Sequence, residues 1–361
     1  MQVLTEVRGN LGVITLNRPQ ALNSLSLAMV RDITAALLQW QADANVMAVL
    51  LRGAGREGKA PAFCAGGDIR FFHQAALVGD PALEDFFTEE YALNHLIHTY
   101  AKPTIVLMDG ITMGGGMGLA QGARLRVVTE HSKLAMPETQ IGLFPDVGGG
   151  WFLSRCPGHV GEFLGLTGHA IGAGDAIALG LADVHLQSAS LPTLIEALAD
   201  QPIETAAQAL ATVKARALAV PLPSLADQRA EIDTHFAGDT VPAILASLAG
   251  SASPFAQQAA ADLRKRSPLM LAVTLEQIHR ARGMTIADDL RMERDMVWRC
   301  FHLRPGASSE TVEGIRALAI DKDHQPRWSP TLSEEVKPED VAAFFASPWP
   351  PHAHPLRTLG L

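Results

Sequence analysis

PTIVLMDGITMGGGMGLA, residues 103–120, is the stretch that decides the fold. Residues 103–110 are apolar and rich in β-forming side chains, which predicts a strand, and the glycines of 110–120 lead into a predicted helix. The first N–H groups of such a helix have no partner within it, and glycine lets another molecule approach them closely. The stretch therefore predicts a strand–loop–helix unit whose loop either holds a ligand or only allows the helix to pack tightly on the sheet.

Short β-rich runs and longer helical runs alternate around this stretch. GVITL (12–16) and MAVLLRG (47–53) are predicted strands, and the apolar spacing predicts helices near 24–42 and 82–100. This alternation is typical of βαβ crossovers in a largely parallel sheet. After about residue 190 the segments are rich in Ala and Leu and are separated by Pro or Gly, which predicts a helical second half.

The composition excludes several classes of protein. The chain has 361 residues, of which 48% are hydrophobic and 19% charged, so it builds a large core and is not predominantly disordered. A formal net charge of −9 argues against a nucleic-acid partner. Its three cysteines, Cys64, Cys156 and Cys300, form no C-x-x-C pair, which favours a reducing compartment and neither a disulfide framework nor a zinc site.

Targeting and membrane signals are not visible in the sequence. Residues 1–16 lack a secretory pattern, and no apolar run reaches the roughly 18 residues of a membrane span. We therefore expect no membrane partner and a location in the cytoplasm or another reducing intracellular compartment. The proline-rich residues 347–361 are expected to form a surface extension, with His352 and His354 solvated rather than binding a metal.

A second glycine loop, FCAGGDIRFF (63–72), also leads from a predicted extended segment into a predicted helix. Two backbone N–H groups that converge on one oxygen form an oxyanion hole, which stabilises charge on a carbonyl that is enolised or attacked. The two loops together indicate a site of this kind, whereas tight packing of helix on sheet explains either loop alone.

Two carboxylates lie in AMPETQIGLFPDVGGG (135–150), namely Glu138 and Asp146. Both are surrounded by Ile, Leu, Phe and Gly residues, where lost solvation raises the pKa of a carboxyl toward a range useful for acid–base catalysis. The alternative for Glu138 is a first-turn carboxylate that faces a helix dipole, and the alternative for Asp146 is a helix N-cap.

Glu90 lies on the apolar stripe of its predicted helix. With an advance of about 100° per residue, it falls near the middle of the apolar arc, whereas Glu89 falls to one side. The apolar members of this arc are Leu83, Phe86, Phe87, Leu93 and Ile97. A carboxylate in such a place costs free energy unless it is paired or functional. The alternatives for Glu90 are a buried Arg or Lys partner, or a side chain that reaches the rim.

Together these stretches resemble the crotonase (enoyl-CoA hydratase/isomerase) superfamily. The resemblance is carried by NRPQALNSL, FCAGGDI, DGITMGGGMGL, MPETQIGLFPDVGGGWFL, FFTEEYALN and IRALAIDKDHQPRWSP, so it extends over nearly the whole chain. It implies an α/β fold, with a crotonase-like spiral core of repeated ββα units over residues 1–190. It also implies a mainly helical C-terminal region over residues 191–361 that covers the acyl pocket.

The resemblance implies roles for individual residues as well. The backbone N–H groups of Gly67 and Gly115 are expected to form an oxyanion hole for a CoA thioester. Glu138 matches the main catalytic glutamate of the superfamily. Hydratases have a second glutamate where this chain has Gly118, which counts against water addition.

A hydrolase branch of the superfamily has an acidic residue that matches Asp146 and a glutamate that matches Glu90. We therefore expect Asp146 to be catalytic and Glu90 to bind the substrate. Ala65, Asp68 and Ile69 match positions that line the CoA channel, although Asp68 is also explained as the N-cap of the helix that follows it.

The implied reaction is hydrolysis of a short branched β-hydroxyacyl-CoA, with 3-hydroxyisobutyryl-CoA from valine breakdown as the expected substrate. Glu138 either directs a water at the thioester carbonyl or attacks the carbonyl itself, and both routes stay open. No cofactor or metal is expected, because the thioester is already activated. The alternatives are an enoyl-CoA isomerase or hydratase and a non-catalytic acyl-CoA-binding protein. Superfamily members often form trimers, so a homo-oligomer is also open.

Overall fold

The computed structural model describes residues 1–56, 58–200, 203 and 205–360, and contacts within the chain divide it into two compact units. The first unit comprises Met1–Gly67, Ala92–Ala135 and Ala170–Ser224, and the second comprises Asp68–Tyr91, Met136–His169 and Leu225–Leu361. The predicted boundary at residue 190 falls inside the third segment of the first unit, because a strand and two helices around it belong to that unit. That the C-terminal region covers the acyl pocket stays a prediction.

The strands of the described ranges all belong to the first unit. They are β1 (Val3–Arg8), β2 (Leu11–Leu16), β3 (Ala48–Gly53), β4 (Ala62–Cys64), β5 (Thr104–Met108), β6 (Ile111–Met113), β7 (Leu125–Val128), β8 (Lys133–Ala135) and β9 (Val184–His185). The sequence pattern does not predict β1, β4, β6 and β9. Three of these have only two or three residues, which is too short for a period to be visible.

Two sheets organise the first unit. A six-stranded sheet has the order β1-β2-β3-β5-β7-β9, in which β1 and β2 are antiparallel and all other neighbours are parallel. A three-stranded parallel sheet has the order β4-β6-β8. Successive strands of the chain alternate between the two sheets from β3 to β9, so the backbone winds as a spiral. The α/β fold class and the largely parallel sheet are therefore confirmed.

The helices of the described ranges occupy most of the remaining chain. They are α1 (Leu27–Ala42), α2 (Ile69–Val78), α3 (Ala82–His98), α4 (Gly115–Gln121), α5 (Gly149–Leu153), α6 (Val160–Thr167), α7 (Ala173–Ala178), α8 (Leu191–Asp200), α9 (Ala206–Lys214), α10 (Arg229–His235), α11 (Val241–Ala249), α12 (Pro254–Leu263), α13 (Pro268–Ala281), α14 (Ile286–His302), α15 (Glu310–Ile315) and α16 (Pro338–Ala342). A 3₁₀ turn spans Glu138–Ile141. The predicted helices near 24–42 and 82–100 correspond to α1 and α3.

Helices α8 and α9 share the core of the first unit with the six-stranded sheet. Leu194, Leu198 and Val213 on these helices are buried in one apolar cluster with Leu50 and Val127 of the sheet. This packing explains why the chain beyond residue 190 continues the first unit before it enters the second.

An aromatic cluster lies in the second unit, where α2 meets the first turns of α3. The ring centroid of Phe72 is 4.8 Å from that of Phe86 and 4.9 Å from that of Phe87. All three side chains are buried. The arc predicted for α3 is therefore the buried face of that helix, and the orientation of α3 is set by its aromatic side chains.

The expectation of a solvated C-terminal extension is wrong for part of this segment. Leu356 and His354 are buried, at 2% and 7% exposure. The Nε atom of Arg291 on α14 donates a hydrogen bond to the carbonyl oxygen of Leu356 at 3.2 Å. Proline-rich composition predicts the absence of α-helices and strands, and Leu356 and His354 do lie outside such elements. It does not predict that their side chains are exposed.

Cys64, Cys156 and Cys300 are buried and form no disulfide bond. Burial raises the pKa of Cys156 to about 12 and raises that of Cys300 further. None of the helices within the described ranges combines the length and apolarity that crossing a bilayer demands.

The two glycine loops of the first unit lie against each other, and this contact requires glycine at position 116. A Cβ atom there would lie 2.3 Å from the carbonyl oxygen of Cys64, at the end of β4. We expect Gly116→Ala to destabilise the protein by about 1–3 kcal/mol, since neither backbone can yield without breaking the loop. Thermal unfolding measures the change.

Gly55→Ala is the matched control, because a Cβ at position 55 meets nothing within 4 Å. We expect its effect to stay within about 0.5 kcal/mol. Equal melting temperatures for the two variants would contradict the close packing of the two loops.

Candidate active site

The first unit supplies two backbone N–H groups at adjacent glycine loops. Gly66, at φ +102°, lies beside the start of α4, since a Cβ built on it would be 3.4 Å from the oxygen of Met113 and 3.7 Å from the nitrogen of Gly115. The loops thus approach each other at the ends of β4 and β6. Such an approach is what an oxyanion hole made of main-chain groups needs.

The amides predicted to bind the thioester oxygen are available for a ligand. Gly115 is the first residue of α4, and its N–H group lies outside the internal hydrogen bonds of that helix. The carbonyl of Gly66 accepts a hydrogen bond from the Leu25 N–H group at 2.8 Å, which fixes the loop just before Gly67. Among the described residues, neither the Gly67 nor the Gly115 amide donates a hydrogen bond within the protein.

Ala65, Asp68 and Ile69 are half-buried. The Asp68 side chain accepts a hydrogen bond from the Phe71 N–H group at 3.4 Å and caps α2. The N-cap alternative for Asp68 is therefore confirmed, whereas a contact of these residues with CoA stays a prediction.

The second unit brings three predicted carboxylates together. Glu138 opens the 3₁₀ turn, Asp146 precedes α5, and Glu90 lies in the middle of α3. Their exposures are 6%, 5% and 2% in the same order, so all three are shielded from water. The negative charge of Asp146 raises the pKa of both Glu90 and Glu138, so the three groups lie close enough to interact.

Burial is the main cause of the altered acidity of this carboxylate cluster, Glu90, Glu138 and Asp146. It raises the pKa of Glu138 and that of Glu90 well above the usual range of a glutamate. It raises the pKa of Asp146 to about 6, although a hydrogen bond from Tyr91 opposes this rise. Asp146 therefore exchanges its proton closer to neutral pH than an isolated carboxyl does, and Glu90 and Glu138 are weaker acids than isolated glutamates.

Two oxygens of the cluster are free to accept hydrogen bonds from a bound molecule. The Tyr91 hydroxyl donates to Oδ2 of Asp146 at 2.8 Å. Within the described ranges, Oε1 of Glu90 and Oε2 of Glu138 are buried and have no hydrogen-bond partner. Buried acceptors in native proteins are almost always satisfied, so these two atoms are open to a donor such as a water or a bound molecule.

The structure also decides between the alternatives for Glu90 and Asp146. Glu90 forms no ion pair in the described part of the chain, whereas the buried Arg294 pairs with Glu84. The residue that caps α5 is Gly148, so Asp146 is not its N-cap. Glu138 does open a helical turn, as a carboxylate that faces a helix dipole would. It is also buried beside Asp146, and the dipole alternative does not require this burial.

Four further residues of the site were missed by the sequence analysis: Tyr91, Gln277, Asp289 and Glu293. Glu293 accepts hydrogen bonds from the backbone N–H groups of Gly148 and Gly150 at 2.7 and 3.0 Å. The signal was present in the sequence, because four-residue spacing places Asp289 and Glu293 on the same buried face of α14. The arc test that selected Glu90 would have selected them as well.

A family model for enoyl-CoA hydratase/isomerase matches residues 11–345 of the chain. The chain therefore belongs to the enoyl-CoA hydratase/isomerase family, and its α/β fold agrees with this class. The expected superfamily membership is confirmed.

Individual relatives carry more specific names. A mitochondrial 3-hydroxyisobutyryl-CoA hydrolase from Rattus norvegicus is 41% identical over 351 residues, which are 96% of this chain and 89% of the relative. A solved enoyl-CoA hydratase from Rhodobacter sphaeroides is 42% identical, with a TM-score of 0.87 and coverage of 96% of this chain and 98% of that one. A solved carnitinyl-CoA dehydratase from Mycobacterium thermoresistibile is 39% identical, with a TM-score of 0.87 and 96% of both chains covered.

The raised pKa values of these carboxyl groups predict how the stability of the protein depends on pH. A carboxyl whose pKa is higher in the folded than in the unfolded chain favours folding at low pH and loses this contribution as the pH rises through the folded-state value. We expect Asp146→Asn to stabilise the protein by about 1–3 kcal/mol at pH 8, because it removes an ionised buried group.

The gain in stability should disappear as the pH falls from 6 to 4. Over this range the Asp146 carboxyl of the wild-type protein becomes protonated in the native state, so the substitution no longer removes a buried charge. Chemical denaturation of both proteins at pH 4, 6 and 8 measures it. A gain that is the same at all three pH values would mean that Asp146 ionises normally.

Proposed function

We propose that this chain hydrolyses 3-hydroxyisobutyryl-CoA, a short branched β-hydroxyacyl thioester, to the free acid and CoA. Water adds its oxygen to the thioester carbonyl, the carbon–sulfur bond breaks, and CoA leaves as the thiol. The observation that carries the proposal is the buried cluster Glu90, Glu138 and Asp146, with unpartnered oxygens on two of its members. The similarity to a hydrolase of that name supports the choice of substrate.

The first step of the proposed reaction needs a stabilised oxyanion. The N–H groups of Gly67 and Gly115 bind the thioester oxygen, and they strengthen their hold as negative charge develops on it. The free state of both amides among the described residues supports this role. No metal or redox cofactor enters the proposal, because a thioester is already an activated acyl group.

Glu138 supplies the base or the nucleophile. Its Oε2 atom either takes a proton from the attacking water or attacks the carbonyl and forms a mixed anhydride that water then cleaves. Both routes require the ionised form, and its burial beside Asp146 makes it a stronger base than an exposed glutamate.

Asp146 and Glu90 are proposed to recognise the β-hydroxyl group of the substrate and to orient the water. A hydroxyl group donates one hydrogen bond, and Oε1 of Glu90 is a buried acceptor without a protein partner in the described ranges. An acyl chain without the hydroxyl would leave that acceptor unsatisfied, which costs about 1–3 kcal/mol. The cluster thus favours hydroxyacyl over unsubstituted acyl chains.

Hydrolysis is favoured over water addition by the residue at position 118. Addition across a double bond uses a second carboxylate to manage both the proton and the hydroxyl, and this chain has Gly118 at the matching position, buried in α4. We also propose a reducing compartment, in agreement with three cysteines that form no disulfide bond. The relative named above is called mitochondrial, so the cytoplasm is not supported over the mitochondrion.

Replacement of the base tests the proposal directly. We expect Glu138→Gln to lower kcat for 3-hydroxyisobutyryl-CoA by about 10³-fold or more, because the amide cannot accept a proton or attack the carbonyl. Release of the CoA thiol measures the rate, and thermal unfolding serves as the control, since the fold should be preserved. Turnover near the wild-type rate would remove Glu138 from its role.

A substrate panel tests the recognition of the hydroxyl group. We expect Asp146→Asn to reduce kcat/KM more for β-hydroxyacyl-CoA than for an unsubstituted acyl-CoA of equal length, because only the former donates a hydrogen bond to the cluster. An equal loss on both substrates would contradict this role.

The same panel separates hydrolysis from the alternatives when an enoyl-CoA is included. A shifted double bond or an added water without thiol release would identify an isomerase or a hydratase. Binding of acyl-CoA in a calorimeter without turnover of any member would identify a binding protein.

A further inference from the structure

The turn that carries Asp146 has a strained backbone. Val147 has φ +58° and Gly148 has φ +86°, so two consecutive residues are left-handed. A β-branched residue is a true outlier in this region, because its Cβ crowds the following carbonyl group. A hydrogen bond from the Gly149 N–H group to the Asp146 carbonyl closes the turn at 2.8 Å. A strained conformation persists only when its surroundings enforce it.

Glu293 on α14 provides that enforcement through both of its carboxylate oxygens. Oε2 accepts a hydrogen bond from the Gly148 N–H group at 2.7 Å, and Oε1 accepts one from Gly150 at 3.0 Å. Oε1 also accepts from Nε2 of Gln277 at 2.9 Å, and the same nitrogen donates to the Pro145 carbonyl at 2.7 Å. The turn is thereby held on both sides of Asp146.

Two of the three consecutive glycines, Gly148 and Gly150, are explained by this arrangement. A Cβ on Gly150 would lie 2.6 Å from Oδ1 of Asp289, and one on Gly148 would lie 3.0 Å from Cδ1 of Ile286. Larger residues would push α14 away and separate Glu293 from the amides that it holds. The glycines therefore serve the approach of a helix that carries carboxylates, in addition to the backbone conformation at Gly148.

Glutamate is chemically specific for this task. Its two oxygens accept three N–H donors, whereas a glutamine would offer one oxygen and place an NH₂ group against a backbone N–H group. Glu293 is fully buried and has no ion-pair partner in the described part of the chain, so a negative charge there is costly. A buried carboxylate that costs free energy and contacts the turn next to Asp146 is a candidate for a functional role.

We propose that Glu293 is a positioning residue, which holds the strained turn Asp146–Gly150 so that the Asp146 carboxylate faces the β-hydroxyl group of the substrate. The inference rests on the proposed function, since it names the residue that gives Asp146 its orientation. Glu293 touches neither the substrate nor the reacting atoms and acts only through the backbone of the turn.

Glu293→Gln in the full chain tests the proposal with the matched pair of substrates. We expect kcat/KM for the β-hydroxyacyl-CoA to fall by about tenfold to a hundredfold, because a small displacement of a catalytic group has an effect of this size. The loss on the unsubstituted acyl-CoA should be at least several-fold smaller. In the Asp146→Asn background the same substitution should add little, since the group that it positions is already altered.

Glu162→Gln is the control for loss of a buried carboxylate. Glu162 on α6 is buried and pairs with Arg282, and it does not hold the turn. We expect it to lower the melting temperature without changing the ratio of the two substrates. If Glu293→Gln fails to fold, Gln277→Met removes one of the bonds to Glu293 and should shift the ratio in the same direction by a smaller factor.

Equal losses of kcat/KM on both substrates would overturn the positioning role and leave Glu293 as a structural residue. So would a double variant, Glu293→Gln with Asp146→Asn, whose loss equals the product of the two single losses. Failure of the proposed function has a different signature. In that case the wild-type protein itself releases no thiol from the hydroxyacyl substrate, whatever the variants do.

Discussion

The site in the second unit depends on the burial of carboxyl groups that form no ion pair with Lys or Arg in the described ranges. Five carboxylates, Glu90, Glu138, Asp146, Asp289 and Glu293, are at most 6% exposed, and within the described ranges none of them forms an ion pair with Lys or Arg. Isolated buried charges cost several kcal/mol each, so neutral donors have to compensate. Here they are backbone N–H groups at the start of α5, the Tyr91 hydroxyl group and the Gln277 amide.

This constraint separates two kinds of carboxylate. Glu293 and Asp289 accept hydrogen bonds from the backbone of one helix start, and they serve its geometry. Glu90 and Glu138 each keep one buried oxygen without a partner in the described ranges, and so does Asp289 at Oδ1. Burial of these carboxyl groups costs stability, as the geometry of an active site often does in enzymes. Glu293 differs from these three because N–H donors hold both of its oxygens, at 2.7–3.0 Å.

Much of the fold was predictable because it follows from local patterns. The apolar run of residues 103–110 and its glycine loop identify the parallel sheet, and the helical arc around Glu90 identifies a buried carboxylate correctly. The short strands β4 and β6 were not predictable, since three residues show no period. Neither was the bond between Tyr91 and Asp146, because the two residues are 55 positions apart in the sequence and only the tertiary structure joins them.

The inert state of the cysteines has a practical consequence. Cys64, Cys156 and Cys300 are buried, and burial suppresses ionisation of the latter two thiols. Chromogenic disulfides react with exposed thiolates, so the native protein should contribute little background to colorimetric counting of sulfhydryl groups. Slow variants are therefore measurable at high protein concentration, and a gradual rise in colour without added thioester would report unfolding instead of turnover.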